Sequence, residues 1–177
     1  MGARFDSTSL YRYSLWRKWS ASAPRVAFVM LNPSTADATQ DDPTIRRCVQ
    51  FAKQWGYGSL EVVNLFAYRA THPHKLQQVN DPVGNDNDRT LLIAARRAAM
   101  LVMAWGNWGQ LHGRDRAVLS LLASARPAYC LGITQSGQPR HPLYLRADIQ
   151  PELFLRPNLP YQLGSRASST PNFAADC

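Results

Sequence analysis

The chain has 177 residues, 45% of them apolar and 18% charged, enough for one well-cored domain and too little for two. Its strictly apolar runs, such as Val26 to Leu31 and Ala98 to Trp105, are far short of the roughly 20 residues of a membrane span, and the spread of Val, Ile and Leu excludes a mostly disordered chain. The opening MGARFDSTSL carries no apolar signal core, and Asp6 stands where a myristoylation site needs Ser or Thr, so the expectation is a soluble protein with no membrane contact that is neither exported nor anchored.

Cys48, Cys130 and Cys177 are odd in number, widely spaced and free of any C-x-x-C pair. That pattern builds neither a disulfide framework nor a thiolate metal or iron–sulfur site, and it fits a reducing cytoplasm. Twenty basic against 12 acidic residues give a formal charge of +8, which favours a polyanionic partner, nucleic acid and DNA foremost, through long-range attraction and counterion release. Seventeen of the 20 are Arg. G+C-rich coding and a use for the planar guanidinium fork on phosphate both explain that bias.

In chain order, residues 1–8 read as a flexible lead. Tyr11, Tyr13 and Leu15 then alternate with Arg12 and Ser14, which predicts a hairpin or edge strand, an N-terminal β addition ahead of a buried strand over 25–31. A polar loop, STADATQDD, leads to a helix start with Asp42 as cap and Pro43 in the first helical position. Ile45, Cys48, Val49, Ala52 and Trp55 recur at helical spacing up to Gly56, making Cys48 a core thiol rather than a nucleophile. Strands over 60–66, 99–105 and 128–133 and helices over 88–99 and 114–125 follow. Pro157, Pro160, Gly164 and the run 167–171 offer nothing to bury, so 9–159 reads as a single α/β domain and 160–177 as a loose tail.

Alternating β and α units with fully apolar strands predict a three-layer α/β/α domain around a central, mostly parallel sheet of about four strands. Ligands of such sheets sit beyond the carboxyl ends of the strands. The loops 32–42, 68–74, 106–113 and 134–144 fall there, and they hold most of the uncommitted polar residues. Neither G-x-x-x-x-G-K-[ST] nor G-x-G-x-x-G follows the first buried strand, which removes ATP and dinucleotide cofactors of the usual kinds. Gln135 occupies the serine place of a nucleophile elbow in Gly132-Ile133-Thr134-Gln135-Ser136-Gly137. His72 and His74 lack a Cys or carboxylate to complete a metal shell. No cofactor and no metal are expected.

The segments MLNPS (30–34), VVNLFAYRAT (62–71), LVMAWG (101–106) and HPLYL (141–145) resemble those of an uncharacterised bacterial and phage family, a domain of unknown function. In the same order they also resemble the uracil-DNA glycosylase superfamily, above all its mismatch-specific branch, where the first motif reads G-x-N-P-G, the second strand ends in Asn, the third in W-G, and a late H-P-S loop closes the site. The resemblance spans about residues 25 to 145. It implies that Asn32 positions a water, that Asn64 reads the edge of a flipped pyrimidine, and that His141 donates to the base oxygen on which charge develops, with Leu143 or Tyr144 wedging into the vacated stack. Ser34 and Trp108 join Asn64 around the base, and Arg69 and Arg140 join Leu143 and Tyr144 against nucleic acid. Ser34 stands where the branch favours Gly, and Leu143 where the superfamily favours Ser.

Each motif also has a purely structural reading: Asn32-Pro33 as a strand-ending turn, Asn64 as a buried amide serving a neighbouring backbone, His141-Pro142 as a rigid loop. The functional expectation is a base-processing, N-glycosidic-bond hydrolase. A non-catalytic nucleic-acid or nucleotide binding module and a small-molecule nucleoside or nucleotide enzyme are its alternatives, because one α/β scaffold hosts many chemistries.

Overall fold

The structure, a computed structural model, describes residues 1–155; the expected tail and the last residues of the expected domain lie outside the described residues. In chain order the elements are β1 (Gly2–Phe5), β2 (Arg12–Lys18), β3 (Arg25–Met30), α1 (Pro43–Gln54), β4 (Ser59–Asn64), α2 (Asn87–Arg97), β5 (Met100–Met103), α3 (Arg114–Leu122), β6 (Ala128–Cys130) and β7 (Glu152–Leu155). Short 3-10 turns cover Pro73–Gln78, Asn107–Gly113 and Pro142–Tyr144. No helix among the described residues is long and apolar enough to cross a membrane.

The strands form one sheet in the order β1-β2-β4-β3-β5-β6-β7. The sheet therefore has seven strands rather than about four. Its centre, β4-β3-β5-β6, is parallel, while β1, β2 and β7 add antiparallel edges. The stretch expected to be a flexible lead supplies β1, paired from Gly2↔Trp16 to Phe5↔Arg12. Backbone pairing, which no apolar run advertises, orders those four residues. Two strands end earlier than expected, β5 at Met103 rather than 105 and β6 at Cys130 rather than 133, where the chain leaves the ladder to form the loops at the carboxyl edge.

Helix α1 begins as its sequence dictates. The Asp42 carboxylate accepts from the Ile45 N–H at 2.8 Å and Pro43 takes the first turn, a cap worth about 1 kcal/mol. Its apolar face, Ile45, Cys48, Phe51 and Ala52, lies on Val26, Phe28, Met30, Leu60 and Val62. The other sheet face, Ala27, Val29, Val63, Leu101 and Met103, is covered by Leu91, Ala94 and Ala95 of α2 and by Val118, Leu119 and Leu122 of α3. Helices on both faces give the three-layer class. Cys48 is fully buried in this packing, and burial pushes its thiol far up from the ordinary value, so it is a core thiol with no reactive thiolate.

One local expectation fails in an informative way. Alternation in β2 placed Arg12 and Ser14 outward, yet both are buried, as is Arg17. β2 lies between β1 and β4 and the 32–42 loop folds over it: Arg17 donates to the Asp37 carbonyl at 2.8 Å and pairs with Asp41 at 2.7 Å, and Arg12 donates to the Ala36 carbonyl at 2.5 Å. Two arginines of the β addition thus hold the loop that follows β3.

Candidate functional site

At the carboxyl edge of the parallel strands lies a cavity of about 450 Å³, within the range of small-molecule sites. Asn32, Ser34, Asn64, Trp108 and His141, five of the nine residues selected from sequence, line it together. The register explains their convergence. Met30 of β3 pairs with Asn64 of β4, so the Asn32 loop and the end of β4 emerge side by side.

Asn64 is 1% exposed, and neither its amide nitrogen nor its amide oxygen has a hydrogen-bond partner. A buried donor and acceptor left unpaired cost about 1–3 kcal/mol each. Native chains rarely carry such a pair without a use for it. Asn32 is the reverse case: its amide N–H₂ donates to the Ala70 carbonyl at 2.6 Å and to the Pro33 carbonyl at 2.9 Å. That clamp ties the loop after β3 to the loop after β4 and leaves Oδ1 as the atom Asn32 offers the cavity.

His141 caps the 3-10 turn Pro142–Tyr144, its Nδ1 accepting from the Leu143 N–H at 3.3 Å. Burial lowers its pKa against the opposing pull of the Asp42 charge, so the ring is neutral near pH 7. With Nδ1 accepting, the proton sits on Nε2, which no described residue accepts. The turn itself is held from α1, where Arg47 reaches back to the Leu145 carbonyl while its guanidinium lies 4.7 Å from the Phe51 ring centre. On the opposite side Gly106, at φ +74°, brings the chain after β5 beside His141 and donates to the Pro139 carbonyl at 2.8 Å; a side chain there is strained.

The aromatic wall is built from Trp105, 2% exposed, whose indole N–H donates to Gln138 Oε1 at 2.6 Å while Gln138 in turn donates to buried Asp115 at 2.9 Å. Gly109 packs flat on that indole, where a Cβ would meet Trp105 Cδ1 at 2.1 Å. Trp105 is therefore core and cavity wall at once. Trp108 is 41% exposed and lines the cavity.

Arg12, Asp42, Thr44, Thr71 and Asn107 also line the cavity and were not selected from sequence as site residues. For Arg12 no local signal exists, because an alternating strand position reads as solvent-facing. Its burial pulls the guanidinium pKa down to about 10, leaving it a cation at neutral pH. Asp42 had been absorbed by its capping role, which it also performs.

The remaining four lie outside the cavity. Arg69 donates to the Ser9 carbonyl at 3.0 Å and covers the Phe5 ring at 5.1 Å, fastening the N-terminal hairpin. Arg140 and Tyr144 line a separate hollow with Arg146 and Asp148. Tyr144 is 90% exposed and Leu143 half-buried at the tip of the His141 turn. His72 and His74 stack at 5.6 Å, and no group of His, Cys, Asp and Glu among the described residues could hold a metal ion.

Fold and cavity define an α/β sandwich protein with a polar, partly unsatisfied cavity at the carboxyl ends of its parallel strands. Its family follows from comparison of the chain itself. The model of a family described as "Protein of unknown function (DUF1643)" matches residues 12–143, and the chain belongs to that family. No curated protein and no solved structure matches it.

Proposed function

We propose that this protein processes bases in nucleic acid, hydrolysing the N-glycosidic bond of a flipped, damaged or modified base in DNA, the chemistry of the uracil-DNA glycosylase superfamily that its segments 30–34, 62–71, 101–106 and 141–145 resemble. The observation that carries this reading is Asn64: one carboxamide, buried, with donor and acceptor both unused and turned to a cavity. A carboxamide in that state complements the adjacent N–H and C=O of a pyrimidine edge. Supporting it are the neutral His141 with its Nε2–H unclaimed and the part-exposed Trp108 on the cavity wall, an indole suited to stacking.

In the proposed reaction the N-glycosidic bond breaks with its electron pair leaving on the base. His141 Nε2–H hydrogen-bonds the base oxygen that gains negative charge. Asn32 Oδ1 accepts from a water and aims its oxygen at the sugar carbon, which gains the hydroxyl; the water's proton ends on the departing base. Asn32 cannot act as a titrating base, so orientation and leaving-group stabilisation supply the rate. Ser34 shapes the floor, Leu143 and Tyr144 enter the vacated stack, and Arg140 meets the backbone, while Arg69, expected beside it, is committed to the Ser9 carbonyl and the Phe5 ring.

One observation favours a second reading, a non-catalytic reader with the same pocket. Asp42, the acid among the described lining residues, has one carboxylate oxygen committed to the α1 cap, so no wholly free carboxylate lines the cavity to activate water. Single- and double-stranded oligonucleotides carrying uracil, hydroxymethyluracil, deaminated purines and mismatches, scored for free base by mass spectrometry, decide between them. Release that disappears in Asn32→Ala or His141→Ala is the expected result; saturable, salt-dependent binding with no release supports the reader.

A further inference from the structure

Arg12 reaches the cavity from β2, outside the four parallel strands. The residue is 2% exposed, one guanidinium nitrogen donates to the Ala36 carbonyl at 2.5 Å, and Nε is buried with no acceptor. Among the described residues the other two buried arginines are matched by acids, Arg17 by Asp41 and Arg114 by Asp88. Arg12 makes no ion pair among the described residues. The charges acting on it are Asp42, whose carboxylate caps α1, Arg17 and Arg69, both cations, and Asp37, whose carboxylate is taken up by the Thr39 and Gln40 N–H groups. Five donors and one protein acceptor leave this guanidinium under-satisfied, and a buried charge without a partner is costly. The hydroxyl residues Ser34 and Thr44 line the same cavity, Thr44 in the first turn of α1, where the helix end favours negative charge.

We infer that Arg12 forms an anion subsite of this cavity, so that the ligand is a nucleotide whose phosphate is held together with its base, not a free base or nucleoside. The inference rests on the reading of Asn64 as the reader of a base edge. The same phosphate chemistry comes from two sources, the monoester of a free nucleotide or the diester beside a flipped nucleotide, and the cavity takes either through one guanidinium fork.

The test titrates the full chain and its Arg12→Met and Arg12→Lys variants with uridine, uridine 5′-monophosphate, uridine 3′-monophosphate, inorganic phosphate and a trinucleotide centred on uridine. Calorimetry at a constant ionic strength of about 0.15 M screens the general attraction of a +8 chain and holds that screening fixed across probes. In the native protein a phosphate-bearing probe binds about tenfold to a hundredfold tighter than uridine, the range of a hydrogen bond to a charged group. The ratio falls below about threefold in Arg12→Met and is partly kept in Arg12→Lys, which retains charge without the fork. Taken within one variant, the ratio cancels any loosening of the Ala36 loop; should Arg12→Met not fold, the drop in Arg12→Lys decides. Preference for the trinucleotide assigns the phosphate to nucleic acid and preference for a monophosphate to a free nucleotide, and both support the subsite. A native ratio near one, or one that survives loss of Arg12, overturns it. If inorganic phosphate binds through Arg12 while the nucleoside adds nothing, the subsite stands and the base-recognition reading fails; if uridine binds through Asn64 and phosphate adds nothing, the subsite fails alone.

Discussion

Two hollows in this molecule differ in a way that size does not capture. A groove between β1, β2 and α2, lined by Arg4, Arg25, Glu61 and Thr90, is larger, about 680 Å³, than the 450 Å³ cavity at the strand ends. In the groove the buried carboxylate of Glu61 pairs with Arg25 at 2.8 Å, Arg4 pairs with Asp86, and Thr90 donates to the Asp86 carbonyl at 2.8 Å. In the cavity Asn64 has no partner, Arg12 has an orphaned Nε, and His141 Nε2–H is unclaimed. Folding normally removes such debts. On the proposed function the missing partner of these cavity groups is a ligand, which makes the smaller hollow the candidate site.

The largest separation between the two regions is expected in chemistry. His141→Ala removes a preorganised donor and lowers base release by about 10² to 10³ in single-turnover assays, whereas Glu61→Ala leaves release unchanged; equal losses would dissolve the distinction. Stability separates them next. Glu61→Ala strands a half-buried Arg25 and costs about 1–3 kcal/mol in urea melts, below the figure for fully buried pairs because Arg25 is 31% exposed. Asn64→Leu has the opposite sign, raising stability by about 1 kcal/mol as an unpaired amide is replaced by an apolar group of similar size, while nucleotide binding is lost. A destabilisation matching that of Glu61→Ala would mean that Asn64 serves the fold. The smallest effect is on acidification. Burial lowers the His141 pKa below its ordinary 6.5, so between the two values the unfolded chain binds more protons. The stability it contributes is complete above about pH 6.5 and is lost as pH falls through the folded value. Protonation turns Nδ1 from acceptor to donor against the Leu143 N–H, and the Leu143 amide resonance moves with that titration.

Much of the fold was legible because it rests on local rules. The Asp42–Pro43 start of α1, its Ile45 and Cys48 stripe and the apolar runs of β3, β4 and β5 obey capping and periodicity. β1 was not legible: GARF has no apolar run, and its order comes from pairing with a strand ten residues on. β7, at Glu152–Leu155, is likewise defined by its partner β6. The site divides along the same line. Asn32, Ser34, Asn64, Trp108 and His141 end strands or open loops at one edge of the sheet, so topology alone assembles them. Arg12 escaped because alternation assigns a face only when one face of a strand is wet, and β2 is covered on both. Arg69 illustrates the converse, a loop arginine whose side chain is spent on Phe5 and the Ser9 carbonyl.

The most direct measurement is of Asn64 itself. Its side-chain amide resonances, assigned by their loss in Asn64→Leu, are followed by ¹H–¹⁵N spectroscopy as uridine 5′-monophosphate is added. A saturating downfield shift of the amide protons, with Trp108 and His141 signals moving on the same isotherm, is the result this account predicts. An Asn64 amide that stays unmoved while ligand binds, or that already carries the shift and exchange protection of a hydrogen-bonded group in the free protein, would contradict it.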